Sequence, residues 1–259
     1  MPLQLMDFYV ALPALMLVMA RVSGLMLSAP LFSGASVPTS IKALLVLAIS
    51  MAAMPLLGPA VQVPVTMTTA LAGLVGELAL GLLIGFCVSL VLAGVQVAIQ
   101  TVSQQAGMAL GEVFNPTIDT STPVAAELYF YVSMVIFLAV GGHRALTCAV
   151  LDSFATIPLM GFRVSEGVAV LVVELLAVSF IVAVRVGGPI ILALLLGFMT
   201  LGFLSRTIPQ LHLLSVGFPI KIALGLLFMA MTMMSLEPVL LDALTQAMDE
   251  LRSTLGMGA

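Results

Sequence analysis

Between Leu78 and Gly111 the chain carries no charged side chain, and between Val186 and Ser205 it again carries none. Runs of this length reach or exceed the roughly 20 apolar residues that a helix needs to cross a hydrocarbon core. Water-free surroundings leave backbone amides and carbonyls no partner but one another, so such segments must be helical. Only 8% of the 259 residues are charged, against about a quarter in soluble domains. A water-soluble fold is therefore excluded, and several membrane-type helices are expected.

Apolar helical material covers 8–30, 41–58, 70–106, 126–150, 168–186, 189–205 and 213–241, punctuated by prolines such as Pro30, Pro38, Pro116, Pro158 and Pro209. The expected fold is all-α: a single polytopic, membrane-type domain of six to eight helices in kinked, Gly/Pro-broken hairpins. Val186–Pro189, reading VGGP, interrupts an apolar run too long for one span and implies a kink or a tight turn at membrane depth. The N-terminus has no basic leader, holds Asp7 before its apolar run and Arg21 within it, and is expected to stay in the mature protein. Basic residues in the loops should set orientation, yet Lys42, Arg163, Arg206, Lys221 and Arg252 fall on both sides of any alternating assignment. Either the span boundaries differ from these, or the helices do not form a conventional lipid-facing bundle.

Gly81 and Gly85 stand in GxxxG spacing, which strips one helix face of side chains and lets another helix approach, from the same chain or from a neighbouring subunit. Glu77, Glu174 and Arg185 are ionisable groups within apolar runs, and each should be buried against protein, a partner charge or a polar cavity. Glu174 and Arg185, eleven residues apart, share a helix stripe.

Chemical motifs are sparse. No phosphate-binding loop occurs, and the two lysines, Lys42 and Lys221, lie in other settings. His143 and His212 have no second ligand at metal spacing, and Cys87 and Cys148 read as small buried side chains. Neither enzyme activity nor a cofactor nor a metal is expected, and without a basic run nucleic acid is set aside as a partner. A protein-conducting channel subunit, a small-solute transporter and a membrane scaffold remain. A transporter should show matching broken helices in two halves, and only one Gly-Gly-Pro break is present. A scaffold leaves unexplained the polar loop GEVFNPTIDTST at 111–122, which holds the chain's only asparagine, Asn115, with Glu112 and Asp119 unbalanced by any base.

Four stretches, RVSGLMLSAPLFSGASVPTSIK at 21–42, QQAGMALGEVFNPTIDTSTPVAAELYFY at 104–131, FLAVGGHRALTCAVLDSFATIPLMG at 137–161 and PQLHLLSVGFPIKIALGLL at 209–227, together resemble the FliR family, the T component of the flagellar type III secretion export gate. Two departures are visible: GGHR at 141–144 replaces an Asn-Gly-His-His type of sequence, and the central loop lacks a glutamine-glycine pair after its proline. A homologous subunit of a virulence injectisome is the alternative, with a small-solute transporter behind it.

The resemblance implies one such subunit joined to FliP and FliQ homologues in a helical pore of the bacterial inner membrane, at the flagellar basal body, with FlhB and FlhA as further partners and unfolded export substrates as cargo. It also implies a FliP-like part at 1–167 and a FliQ-like helical hairpin with a C-terminal tail at 168–259. The central loop then becomes a channel plug, with Gly111, Glu112, Phe114, Asn115, Pro116 and Asp119 as its residues: Phe114 fills the constriction, Pro116 limits the loop's conformations, and the two carboxylates stay hydrated.

Overall fold

This computed structural model describes residues 2–33, 37–57, 67–108, 122–207 and 217–256, and among them the fold is all-α without strands. The helices are α1 (Pro2–Ser28), α2 (Pro30–Ser33), α3 (Thr39–Ala53, continued by a 3-10 turn at Met54–Leu57), α4 (Met67–Ala106), α5 (Val124–Ala139), α6 (Gly142–Thr156), α7 (Glu166–Thr207), α8 (Phe218–Met233) and α9 (Leu236–Leu255). Three of them, α3 with its turn, α4 and α7, are long and apolar enough to cross a membrane, and two bent pairs, α5 with α6 and α8 with α9, raise the number to five if each pair counts as one span. The protein is thus polytopic and membrane-type.

Three boundaries differ from the sequence expectation. The run at 126–150 is two helices, because Gly141 takes φ 82°, a left-handed conformation through which a helix cannot continue. Conversely, of the kink or tight turn expected at 186–189 the tight turn is absent: α7 is continuous from Glu166 to Thr207 with Pro189 inside it. Proline removes one N–H and crowds the carbonyl four residues earlier. Ending the helix would instead strip several amides and carbonyls in apolar surroundings, which costs more. Helix α9 is the third difference. Its buried residues Leu236, Leu240, Ala243, Leu244, Ala247, Leu251 and Leu255 repeat every three or four positions, a stripe hidden from any search for uninterrupted apolar runs by Asp242, Asp249, Glu250 and Arg252 between them.

The chain forms two compact units, and neither is continuous in sequence. The first comprises 1–90, 138–175 and 246–259, and the second 91–137 and 176–245. In the first, α1 and α4 meet through glycines on both sides. A Cβ on Gly81 would overlap the Arg21 carbonyl oxygen and lie 2.9 Å from the Leu25 nitrogen. One on Gly85 would overlap the Ser28 hydroxyl and sit 2.8 Å from the Ala29 nitrogen, and one on Gly24 would overlap the Leu78 carbonyl oxygen. Backbone therefore touches backbone, and the Ser89 hydroxyl donates across the contact to the Ser28 carbonyl. Val18, Val22 and Leu25 of α1 and Leu80, Ile84 and Cys87 of α4 fill the surrounding core. The Cys87 thiol donates to the Ala247 carbonyl at 3.2 Å. Cys148, expected to be buried, is exposed, because α6 turns Leu146, Ala149, Val150 and Ser153 inward and leaves position 148 on its outer side.

In the second unit the later part of α4 packs on α7 through Val91, Val95, Ala98 and Ile99 and through Val178, Val182, Val186 and Ile190. A glycine again sets the distance: a Cβ on Gly94 would overlap the Ser179 carbonyl oxygen. Tyr129 of α5 donates its hydroxyl to the Met229 carbonyl of α8 at 2.5 Å, with the Thr232 hydroxyl 2.9 Å away.

A leucine at Gly81 has no room unless α1 and α4 separate, so Gly81→Leu is expected to cost roughly 1–3 kcal/mol or more of folded-state stability. Gly202, which has nothing within 4 Å of a built Cβ, is the control. Thermal unfolding of the detergent-solubilised variants should show a lower midpoint for Gly81→Leu and an unchanged one for Gly202→Leu; equal midpoints would remove the glycine contact as a packing determinant.

Candidate functional site

Two charges with no counter-ion nearby in sequence meet in the first unit. Arg21 of α1 and Glu77 of α4 are each fully buried, and the arginine Nε donates to the carboxylate Oε2 at 2.5 Å. The remaining guanidinium nitrogens are also directed: Nη1 donates to the Ser153 hydroxyl of α6 at 2.9 Å and Nη2 to the Ile157 carbonyl at 3.2 Å. The Phe154 ring lies under the guanidinium, 4.2 Å from its centroid. Burying two charges is unfavourable unless they are paired and their other hydrogen-bonding positions are filled. Here that requirement is met by four separate segments of chain.

The second carboxylate oxygen has its own task. Glu77 Oε1 accepts the Met160 backbone N–H at 2.8 Å, in the connection between α6 and α7. Met160 is the one non-glycine residue at positive φ among the described residues, at 64°, a conformation that costs about 1 kcal/mol or more and persists only where surrounding contacts impose it. Glycine makes room for the connection at position 73, where a Cβ would lie 2.8 Å from the Met160 side chain. Between α4 and this connection a cavity of about 300 Å³ remains, lined by Thr69, Gly73, Gly76 and Glu77 of α4 and by Met160, Phe162 and Arg163 of the connection, among others.

Of the residues expected from sequence to matter, Glu77 is fully buried and Gly81 and Gly85 lie against α1 of the same chain. Arg185 departs from the expectation of burial. Its side chain is 54% exposed and pairs at 3.0 Å with Asp242, itself 72% exposed. Glu174 is half-buried and forms no ion pair among the described residues. Eleven residues bring Glu174 and Arg185 onto one stripe but leave them about 16 Å apart along the axis, and Arg185 instead meets a carboxylate on α9, a helix not anticipated from sequence. Gly111, Glu112, Phe114, Asn115, Pro116 and Asp119 lie outside the described residues. No group of three side chains suited to holding a metal occurs among those that are described. The sequence does not single out Arg21 as Glu77's partner, although each is an isolated charge of opposite sign in an apolar run.

Removing one member of the pair leaves the other charged and buried, so Arg21→Leu or Glu77→Leu alone is expected to cost about 3–5 kcal/mol. The double leucine variant should recover part of that loss. A double-mutant cycle on detergent unfolding tests this, and strictly additive losses would show that the two side chains act separately.

Comparison with known proteins then places the chain. The family model described as bacterial export proteins, family 1, matches residues 12–247. The flagellar biosynthetic protein FliR of Escherichia coli K12 is 30% identical, covering 84% of this chain and 83% of its own length. The FliR proteins of Pectobacterium carotovorum and Bacillus subtilis are each 25% identical, over 91% and 70% of this chain and 90% and 71% of their own lengths. With the match running from within α1 to within α9 and covering both the buried ion pair and the glycine contact, the chain belongs to the FliR family of bacterial export proteins.

Proposed function

We propose that this protein is a subunit of the flagellar type III export gate, where it helps to form and close the channel that passes unfolded flagellar proteins across the bacterial inner membrane. The family match over residues 12–247 carries this reading. The relatives quoted above are all flagellar, which favours the flagellar system over an injectisome. The role is structural: to build a wall and hold a barrier.

Helix length supports assembly with other subunits. At 1.5 Å per residue, α4 and α7 are each about 60 Å long, twice the ~30 Å hydrocarbon core of a bilayer. Apolar residues are exposed along much of α7, from Val170 and Val173 through Phe180 and Val184 to Leu196 and Phe203. A bilayer can cover about half of such a helix, so the remainder needs protein cover. FliP and FliQ homologues are the proposed neighbours, with FlhB and FlhA homologues as further partners at the basal body. In this reading residues 1–167 take a FliP-like place and residues 168–259 a FliQ-like one. The exposed pair of Arg185 and Asp242 also argues against lipid on that side, since charge in hydrocarbon is costly.

The polar loop at 111–122 is proposed as the plug. A closed gate must stop ions and water, whereas an open one must admit chains of any composition, which suits a deformable loop better than a fixed ring of side chains. Deleting residues 112–119 should therefore raise dye uptake or salt sensitivity in cells carrying the whole gate while motility survives in part. Phe114→Ala should do so more weakly. Normal impermeability with a correctly assembled gate would reduce the loop to a connector, and a monodisperse, functional monomer purified without FliP and FliQ homologues would overturn the subunit role itself.

A further inference from the structure

We infer that bilayer lipid covers one face of the second half of α7, from the exposed Arg185–Asp242 ion pair, which marks the water boundary, to the level of Arg206. Helix α7 is about twice as long as a hydrocarbon core is thick, so its ends do not say where lipid lies. Its charges do. Glu166, Glu174 and Arg185 all fall in the first half, and from Val186 to Ser205 there is no charged residue. Arg206 follows Arg185 by 21 positions, a rise of about 32 Å at 1.5 Å per residue, against the ~30 Å of a hydrocarbon core.

Neighbouring helices repeat the division. The chain carries no charge between Lys221 of α8 and Glu237. Lys221 holds its ammonium 5.4 Å from the centroid of the Phe198 ring, which offsets part of the cost of a cation near hydrocarbon. Helix α9, which meets α7 at Arg185, behaves in the opposite way. Its apolar stripe is buried within the chain, and it turns Glu237, Asp242 and Thr245 outward. Lipid against that surface would strand charges in hydrocarbon, so the lipid-covered part of α7 is the part beyond the pair.

The face itself suits lipid better than another helix. Leu192, Leu196, Met199 and Phe203 are exposed, and at 3.6 residues per turn they lie within about 40° of Arg185 around the axis. All four are large. The close helix contacts that this chain makes with itself rest instead on glycine, at 24, 81, 85 and 94, as close packing between membrane helices generally does. Glu127, also exposed in the second unit, belongs to α5, so the lipid cover is that of the α7 face and not of α5.

Nitroxide labels on single cysteines test the proposal in the full chain bearing Cys148→Ser, since Cys87 is fully buried. The chain is placed in phosphatidylethanolamine–phosphatidylglycerol vesicles, by itself and together with FliP and FliQ homologues. Collisions of each label with oxygen, which concentrates in hydrocarbon, are compared with collisions with a water-soluble nickel chelate. The oxygen-to-nickel ratio should be several-fold higher at Leu196→Cys than at Ile181→Cys, one turn beyond the ion pair, or at Thr245→Cys on α9, and it should fall again at Phe203→Cys. A ratio at Leu196→Cys no higher than at Thr245→Cys would overturn lipid cover. Loss of both kinds of collision at Leu196→Cys when the homologues bind would also overturn it, assigning the face to a neighbouring subunit. Replacing the pair, Arg185→Leu with Asp242→Leu, should leave the fold intact, because an exposed pair contributes little stability. It should also raise the ratio at Ile181→Cys several-fold as the boundary moves, and an unchanged ratio there would end the pair's role as the boundary. The inference goes beyond the export role and depends only on the membrane-type helices. Assembly with the homologues is read separately by co-purification, so its failure would count against the gate and not against the lipid face.

Discussion

The buried pair of Arg21 and Glu77 is the interaction on which the first compact unit depends. Both charges are withdrawn from water, and neither can stay there without the other. Because Arg21 also reaches Ser153 and the Ile157 carbonyl while Glu77 holds the Met160 amide, the pair joins α1, α4, α6 and the segment leading into α7. Dispersion between aliphatic side chains tolerates sliding, whereas three directed hydrogen bonds around one ion pair do not. An apolar replacement could be as stable, but it would specify the relative positions of those segments less sharply.

Close approach makes that pairing geometrically attainable. Glycines at 24, 81 and 85 let α1 and α4 meet backbone to backbone, so the side chains one turn away can span the remaining gap. Glu77 precedes Gly81 by one turn, and Arg21 supplies both the guanidinium and the carbonyl that Gly81 faces. In a chain whose surroundings are as apolar as its core, contact area gives little preference for one partner over another, and small residues with a few polar bonds choose the interface. The second unit follows the same rule, with Gly94 against the Ser179 backbone.

Such a subunit is well suited to a wall of a larger assembly. Its long helices expose apolar residues beyond what a bilayer covers, and its polar contacts are concentrated where one compact unit must keep its shape. The strained Met160 and the cavity beside it adjoin that polar network.

Helical membrane-type architecture was legible in the sequence, because uncharged runs such as Leu78–Gly111 leave a backbone no other way to satisfy its hydrogen bonds, and so was the close-packing face at Gly81 and Gly85. Isolation of Glu77 in an apolar run also signalled a buried charge in need of a partner. The identity of that partner was not legible, since Arg21 lies 56 residues away and pairing across that distance depends on which helix faces meet. The same limit explains Arg185, whose carboxylate stands on an amphipathic helix whose stripe is masked by charges, and α7, where local Gly-Gly-Pro chemistry predicts a break that the surrounding helix overrides. Local residue chemistry determines that these segments are helices and which faces are small, charged or apolar. Only the tertiary structure decides which faces meet, because that choice depends on interactions between residues distant in the chain.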